Sequence, residues 1–232
     1  MSKRTWRGLV CVLPIAMVGI VSMVAVAAEE HQVRMGDLIH DTQKIVAEGD
    51  DLIIAWWLPT AFWEVSARQG GVDKAKTEEM VSVTRPYVIV MIVKAKTGPF
   101  GSMTYVPEAR LRDMARLVDR DGNEYAPLDP DKVNEDARNL LRMMRPFIES
   151  SAGPVGKSMY FVVFPARNAK GEAIADAKEE GRFAVRLGKD QARWRLPLGS
   201  LLPPKTCAKC QEQLSGAFKY CPYCGSKLPE RK

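Results

Sequence analysis

Tyr87-Val-Ile-Val-Met-Ile-Val93 decides the architecture. The stretch carries no charge and is mostly β-branched, so it reads as a strand buried on both faces, in the middle of a sheet. Upstream, Pro86 closes a helix expected from Asp73 to about Thr84. Before it, Pro59-Thr60 opens another helix, bearing Phe62, Trp63 and Val65, which Gly70-Gly71 stops. Residues 52–58 (LIIAWWL) form a second buried strand, and Asp37 to Ala47 a short helix. Downstream, Met103–Val106 and Leu111–Val118 are expected strands. Asp119-Arg-Asp121-Gly122-Asn123 is a hairpin turn, with the return strand at Glu124–Ala126.

The clearest helix is predicted over 131–149, where Val133, Ala137, Leu140, Leu141, Met144 and Ile148 recur at helical intervals. Asp129 and Pro130 would start it and Pro146 would kink or end it. Strands at 159–164, 183–187 and 192–196 complete the pattern. The fold class is therefore α+β: a mainly antiparallel β-sandwich or barrel-like domain with inserted helices, over residues 29–196. A proline-rich linker (197–205) follows, stiffened by Pro203-Pro204.

The chain has 232 residues, with 34 Lys+Arg against 28 Asp+Glu. Its 46% hydrophobic content is that of a folded protein. The excess of base is small once position is considered. Lys3, Arg4 and Arg7 lie in the first 28 residues, which hold no acid, so 31 basic residues face 28 acidic ones beyond them. That balance is weak support for nucleic-acid binding, and none is expected.

Residues 1–28 read as a signal peptide. A basic start precedes the uncharged run 9–27, and Ala25, Ala27 and Ala28 supply a small-residue cleavage site. The second reading is membrane anchoring through residues 9–28, since about 20 apolar residues span a bilayer. Both readings place the remainder outside the cytoplasm, in the periplasm or the extracellular space.

Four of the five cysteines fall near the other end: Cys207-Ala-Lys-Cys210, ten residues, then Cys221-Pro-Tyr-Cys224-Gly225. Two intervening residues let both sulfurs of a C-x-x-C knuckle face one centre, and two knuckles give Cys₄ ligation of one structural Zn²⁺. Residues 205–229 resemble the rubredoxin-like zinc-ribbon family, whose second knuckle is often C-P-x-C-G. The resemblance implies a metal-clamped module over 206–229. It departs from the pattern at Gln211, where glycine is common. Export leaves two disulfides or a redox-active pair as competing readings of the same cysteines.

Other motifs weigh less. Gly153-Pro-Val-Gly156-Lys157-Ser158 is half of a phosphate loop, with Ser151 where glycine is needed, and reads as an ordinary loop. Asp119, Asp121 and Asn123 open like a calcium loop, but Glu124 and Pro130 occupy positions that need glycine and glutamate. His31, His40, Asp37 and Asp41 are conceivable acid–base groups that read as surface residues. Trp56 and Trp57, with Phe62 and Trp63, are foremost core aromatics and only secondarily a small-ligand platform. Arg138, Arg142 and Arg145 make a solvated stripe on the long helix.

The expected function is an exported, non-catalytic binding or assembly protein whose zinc ribbon docks a protein partner through Lys209, Phe218, Lys219 and Tyr223. The alternatives are a zinc-handling or thiol-redox envelope protein, and an envelope enzyme with acid–base residues in the mixed domain.

Overall fold

The computed structural model describes residues 31–230. The expected signal peptide lies outside them. No helix among the described residues is long and apolar enough to cross a membrane. Residues 31–230 fall within one compact unit.

Its centre is a five-stranded antiparallel sheet of β1 (Gln43–Glu48), β2 (Asp51–Trp57), β3 (Tyr87–Thr97), β4 (Met103–Tyr105) and β7 (Tyr160–Pro165). The stretch that reads as a central strand is central: β2 lies along one side of β3, while β7 and β4 share the other. Residues 88–93 are buried without interruption. A four-stranded antiparallel sheet holds β5 (Ala115–Val118), β6 (Glu124–Tyr125), β8 (Gly181–Leu187) and β9 (Asp190–Leu196), in the order β6-β5-β8-β9. Neither sheet closes into a barrel. With five α-helices among the described residues, this is an α+β fold of antiparallel sheets.

Adjacent tryptophans show how the layers meet. Trp57 packs edge-on against Phe183 of β8 at 4.8 Å, and Phe183 stacks on Trp194 of β9 at 4.8 Å. That face of the first sheet therefore looks at the second. Trp56 points the other way, meeting Phe62 of α2 (Thr60–Gln69) at 5.4 Å. Strand alternation alone produces this split. Asp73 caps α3 (Lys74–Thr84) by accepting from the Lys76 amide.

Three local expectations are corrected. The first helix, α1 (Met35–Thr42), stops five residues early, and Gln43–Ala47 belong to β1. The Thr42 carbonyl accepts from the Trp194 indole at 2.8 Å, and Ile45 and Val46 pair with Ile54 and Ile53 of β2. Sheet pairing thus outweighs a helical pattern too short to sustain itself. The stretch 111–118 is divided: α4 (Glu108–Met114) precedes the strand β5. The long helix, α5 (Glu135–Lys157), begins after an Asn134 cap, and Pro130–Lys132 form a separate 3₁₀ turn. It passes through Pro146, whose exposed ring leaves the lost hydrogen bond to solvent. The break is at Gly153, at φ 53° and ψ −130°, values open only to glycine.

Segment 197–205 lies against the domain. The Leu196-Pro197 bond is cis, Leu198 and Leu202 are buried, and Gly199–Leu201 form a 3₁₀ turn. Asp41 accepts from the Ser200 amide at 2.8 Å, and His31 Nε2 donates to the Ser200 carbonyl at 3.0 Å.

Candidate metal centre

The last pair of strands, β10 (Lys205–Thr206) and β11 (Gln213–Leu214), is antiparallel and carries the first knuckle between its strands. Tyr220 and Lys227 bridge around the second. The two knuckles share one hydrogen-bond scheme. Each first cysteine donates its amide to a carbonyl five residues on: Cys207 to Glu212, and Cys221 to Ser226. Each accepts at its own carbonyl from the amide four residues on, from Gln211 and Gly225 respectively. That turn requires a left-handed residue directly after the second cysteine. Gly225 takes it at φ 72° and Gln211 at φ 61°.

The sulfur atoms of Cys207, Cys210, Cys221 and Cys224 all lie within 4.8 Å of one another. Cys207 and Cys224 are 3.5 Å apart and Cys210 and Cys221 3.6 Å. These spans exceed the roughly 2.05 Å of a disulfide. They are close to the ~3.8 Å edge of a sulfur tetrahedron built on zinc–sulfur bonds of about 2.3 Å. The four sulfurs thus stand close enough together to hold one metal ion. Cys207 and Cys221 are buried and the other two half-buried. The Ser226 hydroxyl and amide, hydrogen-bonding to the Cys224 sulfur, bring that thiol down to about 6. At Cys210 the Glu212 amide lowers the thiol, but burial and the three neighbouring thiols outweigh it and push Cys210 up to about 12. One member of the set thus ionises readily, which favours capture of a cation.

The strained Gln211 yields a prediction. A left-handed conformation costs a non-glycine residue about 1 kcal/mol or more. Gln211→Gly should raise the ribbon's resistance to chelator and heat by about 1 kcal/mol, despite losing the Gln211 Nε2 bond to the Ala208 carbonyl. Competition with a coloured zinc indicator reads the change, and a weaker variant would contradict it.

Of the remaining sequence candidates, the histidine–aspartate group is brought together and the others lie apart from it. His31, His40, Asp37 and Asp41 line one cleft of about 510 Å³ with Gln213–Gly216 of the ribbon, and Asp41 and His31 hold Ser200. Trp57 is buried, and Trp56 is half-buried and donates to Thr42 Oγ1 at 3.1 Å. Arg145 is no solvated charge: it binds Glu149 and the carbonyls of Lys157 and Met159, and lies over the Tyr160 ring.

Asp119 serves the hairpin. Its carboxylate accepts from the amides of Asp121 and Asn123, the Asn123 side chain and the Tyr125 hydroxyl. Burial alone would raise its pKa, but these donors outweigh that and hold it below the usual carboxylate value. Its contribution to stability is therefore present above the unfolded value of about 4 and is lost as pH falls through the lower folded value. Asp119→Ala should cost about 2 kcal/mol at neutral pH. The gap between variant and parent, measured by urea unfolding, should close in acid.

One cluster escaped the sequence reading. Lys94 on β3 sits between the sheets with Asp190 of β9, in hydrogen-bond contact, and Asp51 of β2 at 3.9 Å. The only signal was a lysine ending an apolar run. Compared with known families, curated proteins and solved structures, the chain has no match, so its own geometry carries the functional reading.

Proposed function

We propose that the chain is an exported, non-catalytic binding or assembly protein whose C-terminal ribbon docks a protein partner. One structural Zn²⁺ on Cys207, Cys210, Cys221 and Cys224 would clamp that ribbon. The observation that carries this reading is the closed set of four sulfurs within 4.8 Å of one another. With four protein sulfurs bound, zinc has no open position for water or substrate, and the chemistry it supplies is that of a fold clamp. The sulfur-only donor set favours a soft or borderline cation over calcium or magnesium.

Exposed aromatics support the docking role. Phe218, Tyr220 and Tyr223 are 44%, 61% and 74% exposed on a module of roughly 25 residues. Rigid aromatics of this kind dominate protein interfaces. Lys209 and Lys219 flank them, and Lys219 reaches Glu180 of the main domain at 2.9 Å.

The experiment is zinc and thiol content per chain, on protein recovered from the cell envelope with its N-terminal residue determined. One zinc, with four thiols reactive only after denaturation and a chain starting near residue 29, is the expected result. Phe218→Ser with Tyr223→Ser should then abolish cross-linking to the partner at unchanged zinc content. The half-buried positions of Cys210 and Cys224 favour a second reading, a thiol-redox or zinc-handling protein. Labile metal and a reversible dithiol–disulfide couple would put that reading first.

A further inference from the structure

The outer face of the four-stranded sheet carries five arginines. Strand register puts Arg182 opposite Arg195 and Arg116 opposite Arg186, with Arg193 opposite Ala184 between them. Alternation sends Phe183, Val185, Leu187, Ala192 and Trp194 into the core and all five arginines outward. Like charges directly across a sheet repel, so this arrangement weakens the fold that holds it.

The protein answers this charge only in part, and mostly at the margin of the face. Glu124 pairs with Arg186 at 2.6 Å. Arg116 binds the carbonyls of Asp113 and Ala115, and Arg193 binds Gln191. Arg182 and Arg195 have no hydrogen-bond or ion-pair partner among the described residues. Other acids stand at the margin: Asp119 and Asp121 of the turn, Asp121 facing Arg120 at 3.9 Å, and Glu172, Asp176, Glu179 and Glu180, which line one cleft with Arg182.

We infer that this face docks on an anionic lipid surface, its arginines taking headgroup phosphates. Four features favour a bilayer over other anions. The arginines spread over three adjacent strands, with backbone spacings of about 6.8 Å between Arg193 and Arg195 along β9 and about 4.8 Å across neighbouring strands. A two-dimensional array matches phosphates held in a plane, whereas a polymer presents a line. The outward positions of these strands hold no aromatic side chain, so there is no platform on which bases could stack. Arginine binds phosphate in a fork, and a shallow depression of about 470 Å³ has room for one headgroup: Arg120, Arg182, Arg193 and Arg195 line it together with Asp121 and with Asp119, whose carboxylate is already held by its hairpin donors. The apolar run 9–27 also brings the chain to a bilayer, whether as signal or anchor.

The test is flotation of the full chain with phosphatidylcholine vesicles, with and without phosphatidylglycerol. The apolar run contributes equally to both, so the quantity read is the ratio of the two partition coefficients. Each arginine near an anionic surface contributes about fivefold, so R182Q/R193Q/R195Q should lower the ratio on the order of a hundredfold. Added salt should lower the parent's ratio similarly. The Lys versions at the same positions should retain most of it, and K74Q/K76Q, on α3, all of it. Unchanged zinc content and circular dichroism establish that the variants fold. A parent ratio near one, or a ratio unmoved by the triple substitution, overturns the inference. So does a triple variant that loses affinity for a DNA duplex or an acidic protein while floating normally.

Discussion

Cys221→Ser should release the ribbon and leave the rest of the fold standing. The module's buried cluster is Cys207, Leu214, Cys221 and Leu228, so two leucines supply its apolar core beyond the cysteines themselves. A segment of about 25 residues with so small a core depends on its staple. Metal binding to such sites contributes on the order of 10 kcal/mol, and loss of one thiolate forfeits most of it. Amide exchange across residues 205–229 should rise by several orders of magnitude, while β3 and β7 keep their protection. A strong chelator should reproduce this in the parent chain. Protection that survived both treatments would mean that packing holds the ribbon, and the metal-clamp reading would fail.

The second large effect lies between the sheets. Lys94→Met should cost about 3–5 kcal/mol, because it strands Asp190 at 3% exposure without its cation. Lys94→Met with Asp190→Leu should recover part of that loss, since it removes the most deeply buried carboxylate and leaves only Asp51, with its side chain 17% exposed, lacking the cation. Urea unfolding of parent, single and double variants forms a thermodynamic cycle. A single-variant loss below about 1 kcal/mol would show that the pair is solvated in solution and contributes little.

What the sequence revealed and what it hid have physical causes. The strand 87–93 was legible because it is buried on both faces, and continuous apolarity needs no partner to be recognised. The cysteine knuckles were legible because ligation geometry is local: two intervening residues suffice. The end of α1 was not, because the decisive contact comes from Trp194, 152 residues later. Pro146 misled because a proline's effect depends on whether its side of the helix faces water. The arginine face was half-visible. Alternation in Arg182–Arg186 and Gln191–Arg195 marks each strand's outer side, but the repulsive pairing arises only once register sets the strands side by side. The Lys94 cluster draws one residue from each of three strands of two sheets, and no spacing along the chain encodes it.

The clasp at Ser200 has a consequence for how the chain comes into being. Asp41 and His31 meet a residue 159 and 169 positions further on, and Thr42 waits for Trp194. A chain is made, and threaded through any translocation channel, from its N-terminus. Helix α1 emerges first, yet the groups that complete it emerge nearly last. Until then the side of α1 that packs on the 199–201 turn stays uncovered, and the Asp41 carboxylate has no amide to accept from. The first helix is thus a late-docking element, and the interval before it docks is one in which apolar surface needs shielding. Docking closes both ends of the described chain in a single step, with the 3₁₀ turn beneath the ribbon as the keystone.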